Sequence, residues 1–232
     1  MDKEEGKRLA AQEAAKFVES GMTLGLGTGS TARYFVDIMG ERVKQGWTLR
    51  AIPTSEETRT QALGVGIDII EPDETTSIDL AVDGADEADP QFNLIKGGGA
   101  ALLREKIVAN AAKKFIVIAD KSKRVATLGA FALPIEISPF NWALTVHAAR
   151  QVLSNQGFEN PSLKIRAIEG APIKTDGGNL IIDAALGRIP DPAALEKALA
   201  AIPGVLESGL FCAMTDIIIY GDEDGVSMVT AN

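Results

Sequence analysis

Two rhythms of hydrophobic and polar positions alternate through the first half of the chain: short, nearly continuous apolar runs, and longer stretches with helical spacing. The runs predict strands at 22–26, 50–53, 67–70, 78–83 and 115–120. The stretches between them predict helices over 3–19, over 30–44, from Ser55 onward, and after the glycines at 97–99. This alternation predicts an α/β fold, a mostly parallel sheet with helices on both faces. Such sheets bind ligands at the carboxyl ends of their strands.

The rhythm changes after Lys123. PIEIS (134–138) reads as a strand, 141–155 as a helix, 163–168 as a strand, and TDGGN as a turn into the strand LIID (180–183). Asp191 and Pro192 open a helix that Pro203 and Gly204 stop before the strand-like VLESGLF. The order β-α-β-β-α-β is the ferredoxin-like, α+β arrangement. We therefore expect an inserted ferredoxin-like domain over 129–205, within an α/β domain formed by 1–128 and 206–232. The ending TDIIIYGDEDGVSMV reads as a hairpin that rejoins the first sheet.

At 232 residues and 46% hydrophobic, the chain can bury a substantial core. Its net charge of -9, with no basic run, disfavours nucleic acid and anionic membranes as partners. Phosphate binding would have to be local. No apolar run approaches a membrane span, and the start MDKEEGKRLA lacks the apolar region of a signal peptide, so a cytoplasmic location is expected. Cys212, the only cysteine, lies in the apolar GLFCAMTD and reads as a structural thiol. His147, the only histidine, lies mid-helix in the second domain, far from the glycine-bearing motifs. Acid/base work would then fall to carboxylates and lysines.

Three glycine-bearing segments compete for the chemistry. GLGTGSTAR (25–33) carries an apolar strand into a helix, where glycines admit a ligand close to the backbone and the first helical amides suit an anion. No Lys-Ser/Thr pair follows, so it is not a Walker A loop. Ser30 holds the third glycine position of a dinucleotide fingerprint, and no acid ends the next strand. Thr28, Ser30 and Thr31 add hydroxyls, which fits a small phosphate monoester; the alternative is a plain tight turn. In the second segment, VDGADEAD, Asp83 and Asp86 flank a turn at the end of a strand and can aim into the ligand crevice, whereas Glu87 and Asp89 read as solvated. The spacing matches no metal loop, and no metal is expected.

The third segment is KGGGAALLREK. On a helical wheel Ile107, Ala111, Val108, Ala101, Ala112 and Ala109 form an apolar arc, and both Arg104 and Glu105 fall inside it. Charges on a face meant for burial cost several kcal/mol unless partnered, so a sequence that keeps both is expected to use them; the alternative is a structural Arg104 with Glu105 as a bystander. A desolvated Glu105 would have a raised pKa suited to proton abstraction. Lys96 and the amides of Gly97, Gly98 and Gly99 precede that helix, where they could stabilise an oxyanion.

In this order and spacing, GLGTGSTA, VDGADE and KGGGAALLREK closely resemble the A-type ribose-5-phosphate isomerases. The likeness continues through IADKSK and AIPGVLESGLF. The resemblance implies cofactor-free and metal-free interconversion of D-ribose 5-phosphate and D-ribulose 5-phosphate through an enediolate. Carried over by motif, Glu105 resembles the base, Asp83 and Asp86 the carboxylates at the sugar hydroxyls and ring opening, and Lys96 the partner of the oxyanion. Thr28, Gly29, Ser30, Thr31, Gly84, Ala85, Gly97, Gly98, Gly99, Lys123 and Lys7 resemble the remaining sugar-phosphate contacts. The family also suggests a homodimer or homotetramer. More distant likenesses are to coenzyme A transferases, to glucosamine-6-phosphate deaminases, whose histidine is absent from these motifs, and to non-catalytic sugar-phosphate sensors.

Overall fold

Glycine-punctuated apolar runs become strands, and the computed structural model describes residues 3–231. In chain order the first elements are α1 (Lys3–Ala15), β1 (Thr23–Leu26), α2 (Ser30–Lys44), β2 (Arg50–Pro53), α3 (Glu56–Gly64), β3 (Asp68–Ile69) and β4 (Leu80–Asp83). Then come β5 (Glu87–Ala88), β6 (Leu94–Ile95), α4 (Leu102–Ala111), β7 (Phe115–Asp120), β8 (Leu133–Ile137), α5 (Trp142–Asn155) and β9 (Ser162–Ile165). The last are β10 (Ala167–Ile168), β11 (Ala171–Pro172), β12 (Leu180–Ala185), α6 (Pro192–Ala200), β13 (Val205–Ser208), β14 (Leu210–Phe211), β15 (Ile217–Asp222) and β16 (Gly225–Thr230).

These elements form two compact units. The first holds the chain up to Ala85, Arg104–Arg124 and the segment from Met214 onward; the second holds Asp86–Leu103 and Val125–Ala213. The division differs from the expected boundaries: 86–103, 125–128 and 206–213 join the second unit, because β13 and β14 pair with β8 and β6 and Leu128 packs in that unit's core.

The first unit is built on a seven-stranded sheet ordered β16-β15-β7-β4-β1-β2-β3, parallel except for the terminal hairpin strand β16. Every residue of β1, β4 and β7 is buried, as expected of parallel strands covered on both faces. Leu24 and Leu26 of β1 join Ala10 and Ala14 of α1 and Phe35 and Met39 of α2 in one core. Gly25 points the opposite way, where a Cβ would sit 2.5 Å from Val108 Cγ1 of α4. The missing side chain lets α4 lie directly on β1, so helices cover both faces of the sheet.

In the second unit an antiparallel sheet ordered β13-β8-β12-β9 carries the two β-α-β halves β8-α5-β9 and β12-α6-β13, the expected ferredoxin-like arrangement. Ile135, Ile137, Leu180 and Ile182 from the sheet meet Ala149 and Leu153 of α5 and Leu195 and Leu199 of α6. A three-stranded sheet, β14-β6-β5, completes the unit and was not anticipated. The expected strand over 163–168 breaks at Arg166 into β9 and the short hairpin strand β10. Cys212 is half-buried against the core of this unit, and His147 is exposed on α5.

Candidate active site

In the first unit, strands β1 and β4 are parallel neighbours, while the chain leaves β1 for β2 on one side and reaches β4 on the other. This reversal opens a crevice at the carboxyl ends of the two strands. Asp83, the last residue of β4, is 3% exposed. Its Oδ1 accepts the N–H groups of Thr28, at 3.1 Å, and Gly84, at 2.6 Å. The carboxylate therefore ties the end of β4 to the loop after β1.

Gly27 makes that approach possible. A Cβ on it would lie 2.1 Å from Asp83 Oδ1 and 2.6 Å from the Asp83 Cα. Because the Cα is backbone, the clash cannot be relieved by a side-chain rotation alone. Gly27→Ala is expected to displace Asp83 and lower stability by about 1–3 kcal/mol, the usual cost of overpacking, read by denaturant unfolding. Stability equal to that of the parent would show that the two segments are not held this closely.

The loop then enters α2 through Gly29, whose φ of 108° lies in the region that favours glycine. No side chain caps the helix and its first turn holds no acid, so the amides of its start are open to an anion. Ser30 is exposed and Thr31 is 9% exposed at this end. Thr28 behaves differently. Its hydroxyl lies 2.7 Å from that of Thr54 and donates to Ser55 Oγ at 2.8 Å. Ser55 in turn caps α3 by accepting the Thr58 N–H, and Thr58 Oγ1 donates to the Gly27 carbonyl at 2.9 Å. The Thr28 hydroxyl is thus committed to a buried hydroxyl network that braces the loop. Thr54, Ser55 and Thr58 were not anticipated as supports, although a helix was expected to begin at Ser55.

Glu105 stands in the first turn of α4 and is 4% exposed. It shares a face with Val108, three residues on, which packs over Gly25 of β1. The far end of α4 adjoins the start of β4, where Ala112 bridges Ile78. The first turn, with Glu105, therefore lies toward the carboxyl ends of the strands, the end that carries Asp83 and the start of α2.

Arg104 does not share this burial. It donates to Glu56 Oε1 at 2.9 Å with its side chain 38% exposed, and Ile107 is 59% exposed. The buried face of α4 runs through Leu102, Glu105, Val108 and Ala109, rotated from the expected arc because Leu102, fully buried, belongs to it.

Lys123 ends the short 3-10 helix Lys121–Lys123 that follows β7, the neighbour of β4, and is half-buried. Lys7 of α1 pairs with Glu4 at 2.6 Å, and Glu4 also accepts from Tyr34 of α2 at 2.8 Å. The Lys7 hydrogen bond, followed by that of Tyr34, lowers the Glu4 pKa. Lys7 thus lies on the α1 face that meets the early turns of α2. Gly84 and Ala85 continue from Asp83 and are half-buried.

The second unit holds the other candidates. Asp86 donates its N–H to the Ile95 carbonyl at 2.8 Å and accepts the Gly98 N–H on Oδ2 at 2.8 Å. Lys96, directly after β6, is 2% exposed, with Nζ 5.5 Å above the Phe211 ring and its N–H donating to the Gly209 carbonyl at 2.8 Å. Gly97 adopts φ 104°, and Gly98 and Gly99 are exposed.

Glu87 and Asp89 are buried and not solvated as expected. Glu87 accepts the N–H groups of Gly129 and Phe131, each at 2.6 Å, and Asp89 accepts those of Gln91 and Asn93 at 2.8 and 2.9 Å. These two acids stitch loops together, leaving Asp83 and Asp86 as the acids of the motif that adjoin the glycine loops. Among the described residues, no group of three or more His, Cys, Asp or Glu side chains could hold a metal ion, and no helix is long and apolar enough to cross a membrane.

Comparison with known proteins gives this geometry a relationship. The family model for ribose 5-phosphate isomerase A (phosphoriboisomerase A) matches residues 50–225. The chain is 50% identical over 230 residues to the ribose-5-phosphate isomerase A of Rhodopseudomonas palustris (strain TIE-1), covering 99% of each. Its fold matches a solved D-ribose-5-phosphate isomerase in complex with phospho-erythronic acid, with a TM-score of 0.91, 42% identity and 100% of both chains covered. It also matches ribose 5-phosphate isomerase A from Methanocaldococcus jannaschii, with a TM-score of 0.89, 38% identity, and 97% of this chain and 98% of that chain covered. The chain belongs to the ribose 5-phosphate isomerase A family.

Proposed function

We propose that the protein interconverts D-ribose 5-phosphate and D-ribulose 5-phosphate by moving one proton between C1 and C2. The observation that carries this reading is Glu105, a carboxyl buried in the first turn of α4 at the ligand-binding end of a parallel sheet. Glu105 takes the C2 proton of the open-chain aldose, leaving an enediolate, and returns a proton to C1 while a hydroxyl proton passes between O2 and O1. The Lys96 ammonium and the amides of Gly97, Gly98 and Gly99 stabilise the charge that develops on oxygen. Asp83 and Asp86 hold the sugar hydroxyls and assist ring opening.

The phosphate is assigned to the start of α2, through its open amides and the Ser30 and Thr31 hydroxyls, with Lys7 and Lys123 supplying positive charge. Thr28 acts through its backbone and as a brace, in keeping with its committed hydroxyl. Ser30→Ala or Thr31→Ala is expected to raise KM about 10- to 100-fold, the worth of a hydrogen bond to a charged group, with little change in kcat. A large fall in kcat at unchanged KM would move the phosphate elsewhere.

A non-catalytic sensor of the same sugar phosphate is the weaker reading. It leaves the burial of Glu105 without a purpose, and the full-length relatives carry the isomerase name. We assign the enzyme to the cytoplasm and to a homodimeric or homotetrameric state. The direct test is conversion of ribose 5-phosphate to ribulose 5-phosphate by purified protein after exhaustive chelation. Full activity is expected, because the proposed chemistry uses side chains and amides alone. Loss of activity that returns with a divalent metal would overturn the metal-free mechanism, and no activity under either condition would favour the sensor.

A further inference from the structure

Three consecutive glycines have no side chains to fix their orientation, and glycine loses more freedom on ordering than any other residue. The carbonyls of Gly97 and Gly98 nevertheless meet a single partner. Arg166 Nη1 donates to Gly97 O at 2.7 Å and to Gly98 O at 3.2 Å. The guanidinium is itself held by Asp183 of β12, with Nε donating to Oδ2 at 2.9 Å and Nη2 to Oδ1 at 2.5 Å. The pair is largely buried, with side-chain exposures of 15% for Arg166 and 27% for Asp183. Arg166 stands at the break between β9 and β10, where its own N–H bonds to the Ile181 carbonyl at 2.8 Å.

In a trans peptide the C=O and N–H point in opposite directions, and none of the described peptides is cis. Pinning the Gly97 carbonyl to Arg166 therefore turns the Gly98 N–H away from it, and that N–H is the one that donates to Asp86 Oδ2 at 2.8 Å. Pinning the Gly98 carbonyl turns the Gly99 N–H in the same sense. One peptide thus links Arg166 to Asp86, and donation to its carbonyl also polarises its N–H.

We infer that Arg166, clamped by Asp183, is a positioning residue that aims the glycine-loop amides and the Asp86 carboxylate for the isomerisation. The inference rests on the isomerase reading above. A planar group with parallel donors serves a carboxylate and two carbonyls at once, which a lysine ammonium cannot reproduce.

The test compares the parent with Arg166→Lys, Arg166→Ala and Asp183→Asn, measuring kcat, KM and thermal unfolding. Misplaced amides act on the transition state, so kcat is expected to fall about 10- to 100-fold in both Arg166 variants, with KM changed only a few-fold. Asp183→Asn is expected to give a smaller fall of the same kind. Added guanidinium ion should restore part of the kcat of Arg166→Ala without shifting its melting temperature. The inference is overturned if folded variants keep the parent kcat, or if activity falls only in proportion to unfolded protein and guanidinium does not help. If Arg166→Ala fails to fold, the kcat of folded Arg166→Lys decides between the same two results. An inactive parent would instead refute the isomerase reading itself.

Discussion

Glu105→Gln is expected to lower kcat about 10²- to 10⁴-fold, the usual worth of a general base, while leaving folding and substrate affinity close to those of the parent. Gln matches Glu in size and can be packed in the same buried position on α4, but it cannot accept the proton from C2. Ribose 5-phosphate should therefore still raise the melting temperature of the variant, because stabilisation by a ligand depends on binding and not on turnover. The contrasting outcome is equally clear. If Glu105 only supports the packing of α4, the variant loses heat stability, while ligand protection and kcat per folded molecule stay near those of the parent.

Lys96→Met should produce a second large loss, about 10²- to 10³-fold in kcat, comparable to removal of a preorganised donor from an oxyanion site. Methionine fills the space of the aliphatic stem above Phe211 and leaves the backbone bond to Gly209 unchanged. The stability change helps to separate the possible roles. Replacing a whole buried ion pair with apolar groups is often neutral or stabilising, whereas removing one charge alone leaves its partner unpaired and destabilises. Collapsed kcat in the folded fraction assigns Lys96 to the chemistry. Lower stability with unchanged kcat in the folded fraction would make it a structural lysine.

Much of the fold was legible because its elements are long and sharply punctuated. The limits of α2, β2 and β7 coincide with those expected, since each is a uniform apolar pattern bounded by glycine, proline or a charged turn. The ferredoxin-like order was equally readable from alternating patterns and the Asp191-Pro192 helix start. What escaped detection depends on distant pairing. β5, β6 and β14 are two residues each, too short to show a period, and β14 meets β6 more than a hundred positions away in sequence. That pairing also moved the segment before Met214 out of the first unit.

The candidate residues show the same division. Glycine runs and the acids at strand ends were visible as local motifs, but the partners of those acids were not. Glu87 and Asp89 look like solvated charges in sequence, yet each accepts backbone N–H groups from loops whose approach no local pattern encodes. The buried position of Glu105 was read correctly, but Arg104 beside it is partly exposed and paired with Glu56. Arg166 was read simply as part of a strand, because its carbonyl partners lie 68 and 69 residues away.

The most direct measurement follows deuterium during isomerisation in heavy water. The parent enzyme, equilibrated with ribose 5-phosphate, should introduce solvent deuterium at C1 of ribulose 5-phosphate and at C2 of recovered ribose 5-phosphate. Glu105→Gln should lose this exchange in step with turnover while still binding the sugar phosphate. Exchange at the parent rate in Glu105→Gln would contradict proton transfer through Glu105.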